Sequence, residues 1–314
     1  MWQALLPVAA LVLAGCGLAG SKAAKEEAAA EAAFPPEGDF LQVDGRRVHY
    51  VEQGSGPALV LIHGASGNLR DWTFDAVSRL SADYRVIAFD RPGLGYTEAE
   101  AEGDSIFEQA ALLSAAAAQL GATRPIVLGQ SYGGAVALAW AANHPERVSA
   151  LVLLGAASQP WEGGLPFFYK LTAGPLAPLA NPAIAAFAPD ARVQEAITEV
   201  FAPNPVPPGY AAHIGAPLTL RRESLDANAR QRASLKAEIR SLAPRYPALD
   251  LPVELIHGEA DTTVGLQIHS VPTAAQIPGA NLVTLPGTGH MPQHVTPAQM
   301  DAAIARAAAR AGLR

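Results

Sequence analysis

Ser131 lies in Gly129-Gln130-Ser131-Tyr132-Gly133, directly after the apolar run Pro125-Ile126-Val127-Leu128 and directly before the helix-like Gly134-Ala135-Val136-Ala137-Leu138-Ala139-Trp140. A serine there sits on a sharp strand-to-helix turn, the arrangement of a nucleophile elbow. A serine hydroxyl is a weak nucleophile until it is lifted clear of the chain, next to a base and beside donors for a developing oxyanion. The turn presses the helix so closely on the strand that a Cβ at Gly129 or Gly133 would collide. The five-residue pattern alone is common. The strand before it and the helix after it make it specific.

The rest of the chain repeats that alternation. Phe40 to Val43 and Val48 to Glu52, joined at Asp44-Gly45, read as a β-hairpin. Ala58 to Ile62, Arg85 to Phe89, Ile126 to Leu128, Ala150 to Leu154, Val253 to Ile256 and Asn281 to Leu285 are dense in Val, Leu and Ile, with little polar alternation. Such strands are buried on both faces, as in a parallel sheet covered by helices. Helices are expected over Trp72 to Leu80, Ile106 to Leu120, Gly134 to Asn143 and Pro297 to Ala311. The pattern predicts an α/β fold with a mostly parallel eight-stranded sheet. Between Leu154 and Val253 the rhythm breaks for about a hundred residues, too many for a loop in a compact domain. This stretch, with its prolines, Trp161, Phe167, Phe168, Tyr169 and the helix-like Arg221 to Leu242, is expected to form a mainly helical lid after the sixth strand.

Composition narrows the partners. The chain has 314 residues, half of them hydrophobic, a net charge of -7 and no Lys/Arg run. Nucleic acid is therefore not an expected partner, because phosphate binding needs clustered positive charge. No His/Cys/Asp cluster has metal spacing, and no cofactor is expected. Oligomeric state leaves no legible mark.

An elbow serine needs a base and an orienting carboxylate, and Asp261 and His290 fit the order Ser, Asp, His. Each follows a predicted strand, and the carboxyl edge of an open α/β sheet is where active groups gather. His290 is preferred to His294, because it directly follows the glycine turn Pro286-Gly287-Thr288-Gly289. Asp261 is preferred to Glu259 and to Asp90. His63 and His257, before glycines at strand ends, read as structural. The backbone N–H groups of Ala65 and Tyr132 are the expected oxyanion donors. Trp72 and Tyr132 read equally as pocket-lining or core aromatics.

These segments resemble the α/β-hydrolase family: His63-Gly64-Ala65-Ser66-Gly67, Asp90-Arg91-Pro92-Gly93-Leu94-Gly95, Gly129-Gln130-Ser131-Tyr132-Gly133-Gly134, His257-Gly258-Glu259-Ala260-Asp261 and Gly289-His290. The resemblance implies the α/β-hydrolase fold over residues 39–156 and 248–314, with the lid at 157–247. Members that open epoxides or remove halide carry aspartate at the elbow, so Ser131 points to acyl chemistry on a small-molecule acyl substrate. A carboxylesterase for apolar short to medium acyl esters is the first expectation. A carbon–carbon bond hydrolase of dienoic ring-cleavage products and a non-catalytic envelope binding protein are the alternatives. The apolar lid segments Leu165 to Tyr169 and Leu176 to Phe187 suggest an acyl or aromatic pocket, or packing of lid on core.

The amino-terminal segment resembles a bacterial lipoprotein signal. Leu13-Ala14-Gly15-Cys16 follows the apolar stretch Ala4 to Ala14, although Met1-Trp2-Gln3 carries no Lys or Arg. A run of about 11 residues suits a signal and is too short for a bilayer of ~30 Å. The resemblance implies a signal peptide over residues 1–16, lipidation at Cys16, and a lipid-anchored location in the cell envelope. A periplasmic, secreted or cytoplasmic enzyme is the alternative. Residues 17–38 are expected to form a flexible tether, because Ser21 to Glu37 is rich in Ala, Glu and Lys with almost no large apolar residue before Phe34.

Overall fold

The computed structural model describes the backbone of residues 5–100 and 104–314, with side chains from residue 17 onward. Cys16, the expected lipidation site, lies outside the residues whose side chains are described, as does the rest of the expected signal peptide. Among the described residues no helix is long and apolar enough to cross a membrane.

Eight strands form one sheet: β1 (Asp39–Val43), β2 (Arg46–Gln53), β3 (Ala58–Ile62), β4 (Arg85–Phe89), β5 (Ile126–Gln130), β6 (Ala150–Leu154), β7 (Val253–Gly258) and β8 (Asn281–Leu285). Their order is β1-β2-β4-β3-β5-β6-β7-β8. β2 runs antiparallel to β1 and β4, and every later pairing is parallel. The parallel strands are apolar without alternation because helices cover both faces; β5, β6 and β7 are buried along their whole length.

The helices, in chain order, are α1 (Leu5–Ala33), α2 (Arg70–Thr73), α3 (Ala76–Leu80), α4 (Ile106–Gln119), α5 (Tyr132–Asn143), α6 (Phe167–Ala173), α7 (Ala177–Phe187), α8 (Asp190–Phe201), α9 (Tyr210–His213), α10 (Ala216–Thr219), α11 (Arg222–Leu242), α12 (Ser270–Gln276), α13 (Pro292–Val295) and α14 (Pro297–Arg310). One side of the sheet packs on α4, α5 and the carboxyl half of α11; the other packs on α2, α3 and α14. α4 begins with a reciprocal cap between Ser105 and Glu108. The single helix expected over Trp72 to Leu80 is two short ones, interrupted at Asp75, whose φ of -152° and ψ of -48° leave the helical region.

Helices α6 to α11 all lie between β6 and β7, where the rhythm of the sequence breaks. The last of them is shared. Leu235, Ile239 and Leu242 of α11 are fully buried in the main core, each contributing about 1.5–3 kcal/mol of burial, while its amino half turns toward the strand ends.

The expected flexible tether is instead helical through Ala33 and docked on the insertion. Ala23 is fully buried with Ala185 and Ala186 of α7. Glu27 forks onto Arg222 at 2.7 and 2.8 Å and also accepts from its backbone N–H at 2.9 Å. Glu31 pairs with Arg221 at 2.8 Å. Small alanines let the helix approach closely, and two carboxylates one turn apart meet two adjacent arginines, so no large apolar side chain is needed. The following segment is held too: Tyr96 donates to the Phe34 carbonyl at 2.6 Å and Arg70 to that of Pro35 at 2.7 Å.

Candidate active site

Ser131 follows β5 with φ 53° and ψ -116°, a left-handed conformation uncommon for a residue with a side chain. Three backbone hydrogen bonds hold it there. Its N–H donates to Leu154 at the end of β6 at 2.9 Å, and its carbonyl accepts from Gly134 at 3.0 Å and Ala157 at 3.1 Å. A Cβ on Gly129 would overlap the Gly133 carbonyl, and one on Gly133 would overlap that of Ile62, which is the collision expected at both glycines. Tyr132 opens α5, so its N–H has no partner one turn earlier in the helix.

Asp261 and His290 meet at the carboxyl ends of β7 and β8. His290 Nδ1 lies 2.7 Å from Asp261 Oδ2. A carboxylate only accepts, so Nδ1 carries the proton and Nε2 keeps its lone pair. Asp261 Oδ1 accepts from the N–H groups of Thr263 at 2.8 Å and Val264 at 2.9 Å. Burial alone would push the Asp261 carboxyl up, but hydrogen bonds from His257 and His290 hold it well below the usual carboxylate range. Gln130, the residue before Ser131, donates to the His290 carbonyl at 3.1 Å, tying the elbow to the histidine loop. Between them, at the end of β6, Gly155 has φ 49°, and a Cβ there would stand 3.3 Å from both Asp261 Oδ2 and His290 Nδ1.

His257 is the second imidazole on this carboxylate. Its Nε2–H lies 2.7 Å from the Val264 carbonyl and 3.3 Å from Asp261 Oδ2, and its Nδ1 accepts from Ser270 at 2.7 Å.

The loop after β3 carries Ala65. A Cβ on Gly64 would lie 3.2 Å from the Ser131 Cβ, so this loop abuts the elbow. Arg91 clamps it: the fully buried guanidinium donates to the carbonyls of His63 and Gly64, both at 3.0 Å, and to Gln109 and Gln231 at 3.0 and 2.8 Å. It also lies over the Tyr132 ring at 4.2 Å. Burial lowers the Arg91 pKa to about 10, which leaves it charged at neutral pH. His63 Nε2 accepts from the Arg91 N–H at 2.9 Å. Burial, and then the charge of Arg91, lower the His63 pKa to about 4, so this imidazole is neutral.

The insertion completes the scaffold, through residues that sequence reasoning missed. Asn228 accepts from the Ser66 N–H and donates to its hydroxyl, both at 2.9 Å. Gln231 joins Arg91 to the Pro92 carbonyl, which it reaches at 2.8 Å. Asn204 accepts from the Gly289 N–H at 2.8 Å and donates to the Gly287 carbonyl at 3.0 Å. No local pattern marks these amides, because their partners lie far away in sequence.

The rival residues are engaged elsewhere. His294 Nε2 lies 2.8 Å from Asp71 Oδ1, which also accepts from Tyr210 at 2.7 Å. Asp90 accepts from His49 at 2.6 Å and from the N–H groups of Leu69 and Tyr96. Glu259 accepts from Thr284 at the surface. Trp72 and Tyr132 are core residues, fully buried. The apolar insertion residues Phe167, Phe168, Leu176, Leu179 and Phe187, expected to line a pocket or pack on the core, are exposed.

The model of the alpha/beta hydrolase fold family matches residues 57–297. The 2-hydroxymuconate semialdehyde hydrolase of Pseudomonas putida is 32% identical over 268 residues, covering 82% of this chain and 89% of that one. The pimeloyl-[acyl-carrier protein] methyl ester esterase of Vibrio parahaemolyticus is 37% identical over 121 residues, covering 37% of this chain and 45% of that one. In three dimensions the chain is similar to an alpha/beta hydrolase fold protein from Burkholderia ambifaria, with a TM-score of 0.71 and 26% identity, covering 85% of this chain and 96% of that one. The chain belongs to the α/β-hydrolase family and is a hydrolase.

Proposed function

We propose that this hydrolase is a carboxylesterase acting on apolar short to medium acyl esters through a Ser131–His290–Asp261 triad. The observation that carries the reading is the 2.7 Å bond between His290 Nδ1 and Asp261, in the same sheet as a serine held in elbow conformation after β5, two strands from β7 and three from β8. His290 Nε2 takes the Ser131 proton as Oγ attacks the acyl carbon, and the N–H groups of Ala65 and Tyr132 receive the oxyanion. Collapse expels the alcohol, which takes the proton from His290. Water then attacks the acyl-enzyme with His290 again as base, releasing the acid. Asp261 holds the imidazole in the required tautomer and stabilises its charged form. Residues 157–247, with helices α6 to α11, act as the lid over this centre. Turnover of p-nitrophenyl esters of increasing chain length tests the reading; hydrolysis should be fastest at short to medium chains, and no turnover on any of them would overturn it.

Carbon–carbon bond hydrolysis is the second reading, favoured by the likeness to the Pseudomonas putida hydrolase over most of both chains. Cleavage of a vinylogous diketo acid together with weak esterase activity would select it.

The envelope location is part of the proposal. Cys16 is the lipidated residue that anchors the enzyme to a bacterial membrane, supported by the apolar run and small residues before it. Palmitate labelling, lost in Cys16→Ser, tests this, and an unlabelled wild type would remove the lipid anchor.

A further inference from the structure

We infer that the outer face of α6 and α7, alongside α1, is a membrane-docking surface whose partner is a lipid bilayer. Among the described residues ten large hydrophobic side chains are exposed, and six of them, Leu18, Phe167, Phe168, Leu176, Leu179 and Phe187, lie on these three helices or at the residue before α7. Leu18 and Phe167 are 73% and 77% exposed. The other four, Phe40, Ile268, Val271 and Leu313, lie elsewhere, two of them at or just before the start of α12. Clustering of this kind marks an interaction site, whereas scattered apolar residues do not.

The choice of partner rests on the way α1 is attached. Its middle is fixed to the insertion through Ala23, packed with Ala185 and Ala186, and through the forked Glu27–Arg222 pair. Lys22 sits over the Phe187 ring at 4.3 Å. Cys16 is seven residues before Ala23 on the same helix, about 10 Å along its axis. The amino end is apolar through the run Ala4 to Ala14 or, once that run is cleaved, through acyl chains on Cys16, so the inference rests on the envelope reading above. A flexible tether would let the enzyme float free of the bilayer, but a docked helix holds the apolar face of the insertion against it. Lys22, Lys25 and Lys170 are exposed on α1 and α6, suited to lie at the level of anionic headgroups while the apolar side chains enter the interface.

The test uses the full chain with phosphatidylethanolamine–phosphatidylglycerol vesicles, with and without brominated acyl chains. Leu179→Trp should add fluorescence that brominated lipid quenches, while Phe40→Trp, at an exposed position on β1, should add fluorescence that it does not. Leu176→Glu with Leu179→Glu should lower vesicle partitioning by at least roughly tenfold. Sedimentation with vesicles but no quenching at position 179 would overturn the inference, leaving attachment through the amino end alone. Absence of sedimentation would overturn both. An unquenched protein that is dimeric in solution, and monomeric with the two glutamates, would reassign the face to a second copy of the chain.

Discussion

Asn204 accepts a hydrogen bond from the backbone N–H of Gly289 at 2.8 Å, and thus grips the residue immediately before His290 from the insertion. Its amide also donates to Gly287 at 3.0 Å, and a Cβ on Gly289 would overlap the Ala202 carbonyl. The histidine loop is therefore seated on the insertion.

That seating predicts a positioning role. Asn204→Ala should lower kcat by roughly 10- to 100-fold with little change in KM, since a small displacement of a base is costly in the reaction step. Asn204→Asp keeps the acceptor and loses the donor, so it should fall between. Steady-state kinetics beside thermal unfolding separate this from loss of fold; equal kcat in all three proteins would deny it.

Arg91 is predicted to hold the loop bearing Ala65 in place. Arg91→Met removes the donor to four buried acceptors, the carbonyls of His63 and Gly64 and the amide oxygens of Gln109 and Gln231. Each acceptor left unpaired costs about 1–3 kcal/mol. Urea unfolding should show a loss of about 3 kcal/mol or more after partial relaxation, and Arg91→Lys should recover only part of it, because an ammonium cannot reproduce the fork.

The elbow glycines predict a steric effect. Gly133→Ala places a methyl group against the carbonyls of Ile62 and His63, where backbone on both sides leaves no room to yield. Overpacking of this kind costs about 1–3 kcal/mol or more, read as a lower thermal midpoint and loss of turnover. Unchanged values in both would mean that the helix stands further from the sheet.

His63 links stability to pH. Its folded pKa is lowered to about 4, against ~6.5 in an unfolded chain. Between those values the unfolded state binds more protons, so stability is full above about pH 6.5 and falls as the pH drops toward 4, by roughly 3 kcal/mol in the limit of full burial. The slope of unfolding free energy between pH 5 and 7 should be smaller in His63→Gln than in the wild type. Equal slopes would assign the pH dependence to other groups, His269 first among them, whose pKa burial also lowers to about 4.

Much of this architecture is legible in the sequence. The apolar runs from Ala58 to Leu285 mark the strands because burial on both faces removes alternation, and the elbow glycines mark a turn that only glycine permits. Asp261 and His290 were readable from their places after strands, and the structure bonds them to each other. Other features were not legible. Gln231 reaches Arg91 across 140 residues of sequence, and Asn228 reaches Ser66 across 162; such pairings leave no periodic trace. The stretch from Ser21 to Ala33 lacks large apolar groups and so gave no sign of docking, although alanine packing and two Glu–Arg pairs hold it. The exposed faces of α6 and α7 were unreadable for the opposite reason, since apolar composition alone does not say which side meets solvent.

Covalent labelling with a fluorophosphonate tests the central claim most directly. The wild type should take up one equivalent at Ser131. Ser131→Ala should take up none, and His290→Ala should react slower by at least roughly 10³-fold, with all three proteins folded by circular dichroism. A folded wild type that stays unlabelled, or a Ser131→Ala variant that labels as fast as the wild type, would contradict the assignment of Ser131 as the nucleophile.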